Sequence, residues 1–261
     1  MIKLWIFTFC LVAIFCDITN AQNRYYDYRN RVPGDKTHIL YISGDDTHGS
    51  LEVAAVLRKF LEVRHNYFMT YTEDYSVLTR SLEKFDVILM NNIPPKLTEE
   101  EMLGLTKAIE EGKPFLGIHA ISATYKMDQP QKKLIFDIIG AEFIRHPPIH
   151  EFKVNITQPD TDITMNLPDF DIYDEMYFFK SIKPDINILM TSTYEGDDVS
   201  GQDWENNFGK SKSTPVTWTR KYGKGKVFYT SLGHSIGAVT NRYFQQVILN
   251  GLLWLTAQEE K

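Results

Sequence analysis

Residues 38–61, HILYISGDDTHGSLEVAAVLRKFL, decide the fold class. Residues 38–43 are a strand-like apolar run, and Gly44-Asp45-Asp46-Thr47-His48-Gly49 is built of turn formers. After it Leu51, Ala54, Ala55, Leu57 and Leu61 recur at helical spacing. This is a β-loop-α unit. The pattern continues with strand-like runs at 66–72 and 85–91. Thr98 and Glu101 make a capping box whose helix should stop at Gly112, a buried strand follows at 114–119, and a helix at 131–139 is ended by Gly140. Strand and helix alternate through residue 140, which predicts an α/β fold around a doubly wound, mostly parallel sheet.

The second half has another rhythm. Strand-like runs at 151–157, 186–193, 215–220 and 226–232 predict an added β excursion, with Gly223-Lys224-Gly225 turning a hairpin. The polar stretch 195–214 is long for a connection, and residues 239–257 read as one amphipathic helix.

The chain opens with Lys3, an apolar run at 4–16 and the small residues Thr19-Asn20-Ala21, the pattern of an export signal cut after Ala21. The expected organisation is therefore a signal peptide at 1–21, a polar leader at 22–36 and one folded domain at 37–257, exported to a periplasmic or secreted location. No stable membrane span is expected once the signal is removed. Both cysteines, Cys10 and Cys16, fall within that signal, so the folded part has no disulfide and no cysteine nucleophile. A formal net charge of −6 argues against nucleic acid as a partner. No feature of the sequence specifies an oligomeric state.

Three strand-like runs deliver histidines at or just past their carboxyl ends, namely His48, His119 and His234. In open α/β sheets those ends form the ligand crevice, so three imidazoles there read as a site. His119 stands where a strand turns sharply, the place at which hydrolase folds present a nucleophile. In Asp174-Glu175-Met176-Tyr177, extended backbone puts Glu175 and Tyr177 on one side, and a carboxylate among aromatics suits acid/base work. His119, Glu175 and His234 are the candidate catalytic residues; Asp46, His48, His146, Asp174 and Tyr177 are candidate substrate contacts. No cofactor is firmly implied, but His48, His119, Glu175 and His234 have the donor types of a divalent metal site. His146 and His150 are a weak pair, since Pro147 and Pro148 forbid the helix that would align them. His38 and His65 read as structural.

GIHA (117–120), DEMY (174–177) and PVTWTRKYGKGKVFYTSLGH (215–234), in that order, resemble the ThuA-like family, named for trehalose utilisation, within the class I glutamine amidotransferase-like superfamily. The resemblance covers roughly residues 37–257. It implies a flavodoxin-like sheet with an added β excursion and a pocket over His119, Glu175 and His234. True amidotransferases carry a cysteine where this chain has His119, so glutamine hydrolysis is not implied. The family's usual His-Pro-Ile-Thr segment corresponds here to Thr161-Asp162-Ile163-Thr164, which lacks the histidine. Family members accompany sugar oxidoreductases that make keto-glycosides. The expectation is an enzyme working on a small sugar, keto-sugar or glycoside by acid/base chemistry; the alternative is a non-catalytic carbohydrate-binding or interaction module.

Overall fold

The alternation read between residues 38 and 140 forms the parallel half of a nine-stranded sheet in the computed structural model, which describes residues 35–44, 48–80, 82–196, 205 and 211–257. The signal segment, nearly all of the leader and Asp46 lie outside the described residues. In chain order the elements are β1 (Thr37–Ile42), α1 (Ser50–Arg64), β2 (Tyr67–Thr72), β3 (Val87–Met90), α2 (Glu99–Glu110), β4 (Phe115–Ile118), α3 (Gln129–Ile139), β5 (Ala141–Arg145), β6 (His150–Ile156), β7 (Phe170–Asp174), β8 (Phe178–Ile182), β9 (Asn187–Thr193), β10 (Ser213–Tyr222), β11 (Gly225–Thr230), α4 (Ile236–Thr240) and α5 (Arg242–Thr256).

The sheet order is β2-β1-β3-β4-β11-β10-β9-β6-β7. From β2 to β11 every pairing is parallel, a flavodoxin-like arrangement; from β11 to β7 every pairing is antiparallel. The two halves are joined by the β10–β11 hairpin, which turns the chain so that β11 lies parallel to β4. β5 and β8 pair apart from the large sheet.

Period-two alternation sorts the core onto two faces. Ile39, Tyr41, Leu89 and Leu116 pack with Val53, Leu57 and Leu61 of α1 and with Phe244, Val247 and Leu252 of α5. Leu40, Ile42, Ile88 and Phe115 pack with Leu105 and Ile109 of α2 and with Ile135 and Ile138 of α3. Helices thus cover both faces of the parallel half, the reason its strands read as nearly continuous apolar runs. The capping box of α2 is present, Glu101 N donating to Thr98 Oγ1 and Thr98 N donating to the Glu101 carboxylate.

Three sequence expectations shift. The expected helix at 239–257 is broken at Asn241, whose side chain accepts from the backbone N–H groups of Tyr243 and Phe244 and so caps α5 while α4 ends. The buried stripe of α1 is Val53, Ala54, Leu57 and Leu61, and Leu51 lies 59% exposed. β5, β7 and β8 were not anticipated as strands, because their paired partners are distant in sequence and only part of each is buried.

Candidate functional site

The register between β4 and β11 places the first half of the site. Ile118 is opposite Thr230, so His119 and Ser231 emerge side by side at the strands' carboxyl ends. His119 Nδ1 lies 2.7 Å from the carbonyl oxygen of Ser231. A carbonyl only accepts, so Nδ1 carries a hydrogen and Nε2 is the nitrogen turned into the site. The turn that makes this possible is tight: His119 has φ 47°, in the left-handed region that costs a non-glycine residue about 1–3 kcal/mol. Tyr229 holds it, its hydroxyl donating to the His119 carbonyl at 2.8 Å and meeting Ser122 Oγ at 2.7 Å.

His234 is held from the other half of the molecule. Asp174, at the end of β7, is 1% exposed; its carboxylate accepts from Gly233 N at 2.7 Å, from His234 N at 3.1 Å and from Glu175 N at 3.0 Å. Burial raises the Asp174 carboxyl, opposed by the nearby His119 and by those amides. The sequence expectation put Asp174 against substrate; the structure spends both its oxygens on backbone, making it the residue that positions the His234 turn. Gly233 has φ +110°, and a Cβ there would lie 2.8 Å from Ile118 Cγ2, so the approach of this turn to β4 requires glycine.

The centre is a triangle of imidazoles closed by a carboxylate. Ring centroids are 5.4 Å apart for His48 and His119, 5.4 Å for His48 and His234, and 5.3 Å for His119 and His234. Glu175, only 7% exposed, brings Oε2 to 3.2 Å from His119 Nε2 and 3.4 Å from His234 Nδ1, while Oε1 stands 3.5 Å from His146 Nε2. Burial alone would raise the Glu175 carboxyl, but the contacts of His119 and His234 and the charge of the imidazoles outweigh it and hold it far below the usual carboxylate range. The same contact raises the His234 imidazole against the opposing effect of burial. It is a charge contact rather than an aligned hydrogen bond, so His234 Nδ1 is buried without a hydrogen-bond partner.

Tyr177 completes the lining. Its hydroxyl is 2.8 Å from His119 Nε2, and its ring centroid is 4.2 Å from that of His119. Burial, reinforced by Glu175, pushes the phenol well above its ordinary value, so it remains a donor. Thr214 Oγ1 donates to the Tyr177 carbonyl at 2.8 Å and ties this segment to β10. His146 is about one third exposed along its side chain and meets Oε1 of Glu175, the oxygen other than the one nearest His119 and His234.

His48, His119, Glu175 and His234 each offer one donor atom, all within 4.8 Å of one another. The chemistry of the set fits a divalent ion: three imidazoles and a carboxylate, with His119 Nδ1 tied to a backbone carbonyl so that Nε2 faces the others, and a buried nitrogen of His234 that makes no hydrogen bond. Asp46 lies outside the described residues. Thr161 and Thr164 bond each other in a turn whose Ile163 joins the core, and His38 is buried with Nδ1 donating to Lys84 O and Nε2 accepting from Thr70 Oγ1. Sequence reading missed Ser231, Ser122, Thr214 and Tyr229. The first acts through its backbone, and the others resemble ordinary strand or turn residues.

A family model described as "ThuA: Trehalose utilisation" matches residues 38–255. A ThuA-like protein from Parabacteroides merdae has a similar structure, with a TM-score of 0.70 at 18% identity over 87% of this chain and 93% of that one. A second, from Bacteroides uniformis, gives 0.69 at 17% identity over 87% and 95%. A β-galactosidase from Halorubrum lacusprofundi shares the fold over 85% of this chain but only 30% of its own length, with a TM-score of 0.54 at 12% identity. Among curated proteins nothing matches the chain. The sequence match covers all of the sheet but its first residue and every residue of the imidazole–carboxylate centre, and on that ground the chain belongs to the ThuA family.

Proposed function

We propose that this protein is exported and acts on a small sugar, keto-sugar or glycoside by acid/base chemistry around a divalent metal ion held by His48, His119, Glu175 and His234. The observation that carries the reading is the convergence of three imidazoles and one buried carboxylate within 4.8 Å, supplied by four separated segments. Such convergence is what neither a core nor a simple binding face requires. When bound, the ion supplies Lewis-acid polarisation of a carbonyl or hydroxyl oxygen.

The chain's own groups then have distinct parts. Tyr177, whose hydroxyl lies 2.8 Å from His119 Nε2, would donate its one hydrogen to a developing negative charge on a sugar oxygen once that nitrogen holds the ion. Glu175 stays ionised, so it serves as ligand or base and not as a neutral acid. His146, next to Glu175 and open to solvent, is placed to pass protons outward. Proton abstraction beside a keto group and glycosidic cleavage are both within the reach of this set. Glutamine hydrolysis is not, because cysteine occurs in the chain only at residues 10 and 16.

The test is consumption of 3-keto-glucosides by the purified protein and by His119→Ala and His234→Ala variants. The expected result is turnover lost by roughly 10²-fold or more with sugar binding retained. Undiminished turnover in both variants would overturn the assignment, and wild-type binding without any turnover would favour a carbohydrate-binding module.

A further inference from the structure

The chain leaves β1 through α1 toward β2 and leaves β3 through α2 toward β4, and these two helices pack on opposite faces of the sheet. The carboxyl ends of β1 and β3 are therefore where the winding reverses, the place at which open α/β sheets admit a ligand. Ser43 and Asn91 stand there, each one residue past the register pair Ile42 and Met90. Ser43 Oγ donates to Asn91 Oδ1 at 2.7 Å, and the two residues are 0% and 1% exposed.

That bond uses one end of the Asn91 amide. Among the described residues no group accepts a hydrogen from its NH2, whereas buried polar groups are nearly always partnered. The next residue is the contrast: Asn92, on the face covered by α2, donates to the Tyr75 hydroxyl at 2.7 Å and to the Ile93 carbonyl at 3.3 Å. Adjacent side chains on extended backbone point to opposite faces, so Asn91 belongs to the face on which α1 and α4 follow His48 and His234. β3 also separates β1 from β4. Its end thus lies between the strands that lead to His48 and to His119, whose ring centroids are 5.4 Å apart.

We propose that Asn91 is a substrate-binding residue of the imidazole–carboxylate centre, its NH2 donating to an acceptor oxygen of the substrate, and that Ser43 positions it by holding the Oδ1 end. An amide whose oxygen is engaged offers donors only, so the atom it meets must accept. The proposal rests on the sugar-processing reading above and adds to it a neutral donor from β3, a strand that supplies none of the imidazoles or carboxylates.

The test joins NMR of side-chain amides to calorimetric titration, on the purified full-length protein with methyl 3-keto-α-glucoside as probe. In the wild type the Asn91 NH2 signals, assigned by their loss in Asn91→Asp, should shift on saturation with the probe while those of Asn92 stay in place. Asn91→Asp keeps an oxygen for Ser43 but replaces the NH2 by a second acceptor, and Asn91→Leu removes both ends; each should bind the probe about tenfold more weakly, and Ser43→Ala about threefold more weakly. The wild-type NMR measurement stands even where a variant melts early. Asn91 signals unmoved at saturation, or Asn91→Asp binding as wild type does, would overturn the proposal, while loss of turnover in His119→Ala left the sugar-processing reading standing. Shifted Asn91 signals and weakened binding beside full turnover in His119→Ala and His234→Ala would sink the catalytic assignment and leave Asn91 as a binding residue. If the wild type does not bind the probe, both fail.

Discussion

The parallel and antiparallel halves of the sheet contribute to the site in different currencies. β1, β4 and β11 are buried along nearly their whole length, and His48, His119 and His234 all follow their carboxyl ends. The antiparallel half, with the separate β5–β8 pair, supplies His146, Asp174, Glu175 and Tyr177: the carboxylates, the phenol and the imidazole nearest solvent. The first half supplies three imidazoles; the second supplies the carboxylate that faces them and the phenol that meets His119. Asp174 is where they are tied together, since a residue at the end of edge strand β7 holds the backbone of the turn that follows β11.

That division can be broken from the antiparallel side first. Glu175→Gln keeps shape but removes the charge that offsets the imidazoles, and turnover should fall by roughly 10²–10⁴-fold with the melting temperature little changed; steady-state kinetics beside a thermal melt checks both. A variant with full activity would mean that the excursion contributes no chemistry. Next in size, Asp174→Ala leaves the buried amides of Gly233 and His234 unpaired at about 1–3 kcal/mol each. Denaturant unfolding should register that loss together with reduced activity, and activity retained despite lower stability would separate the tie from the site.

Asn241→Ala sharpens the comparison on the parallel side. It removes the cap of α5, a helix packed under β4 and β11, and should cost about 1 kcal/mol in the same unfolding assay without altering the rate of reaction. The smallest expected effect concerns pH. Burial lowers the His38 imidazole below its ordinary value, so the unfolded chain takes up a proton there before the folded one does. Stability from this residue is therefore complete above about pH 6.5. It is lost as pH falls through 6.5 toward the lower folded value. Wild type and His38→Asn, melted at intervals from pH 7 to pH 5, should differ in slope in that direction; parallel curves would show that His38 does not titrate with folding.

Much of this was legible in the sequence because local signals agreed with global ones. The turn formers after β1, the capping box at Thr98 and the glycine after α3 each mark an element boundary found within a residue or two. Histidines at strand ends were visible because buried parallel strands are apolar throughout and their polar termini stand out. What was not legible depends on partners far along the chain. Asp174 looks like a ligand-facing carboxylate until its burial against residue 233 is known. β5 and β8 bury too little for a clear pattern, and the break before α5 hides in Asn241, whose capping competes with an otherwise continuous apolar repeat. Leu51 fits the helical spacing yet faces out.

The most direct test of the proposed metal centre is anomalous diffraction from crystals of the wild-type protein grown with zinc or manganese. The account predicts one strong peak about 2.0–2.3 Å from a nitrogen of each of His48, His119 and His234 and from an oxygen of Glu175. Crystals showing those four side chains in place with no peak between them would contradict it.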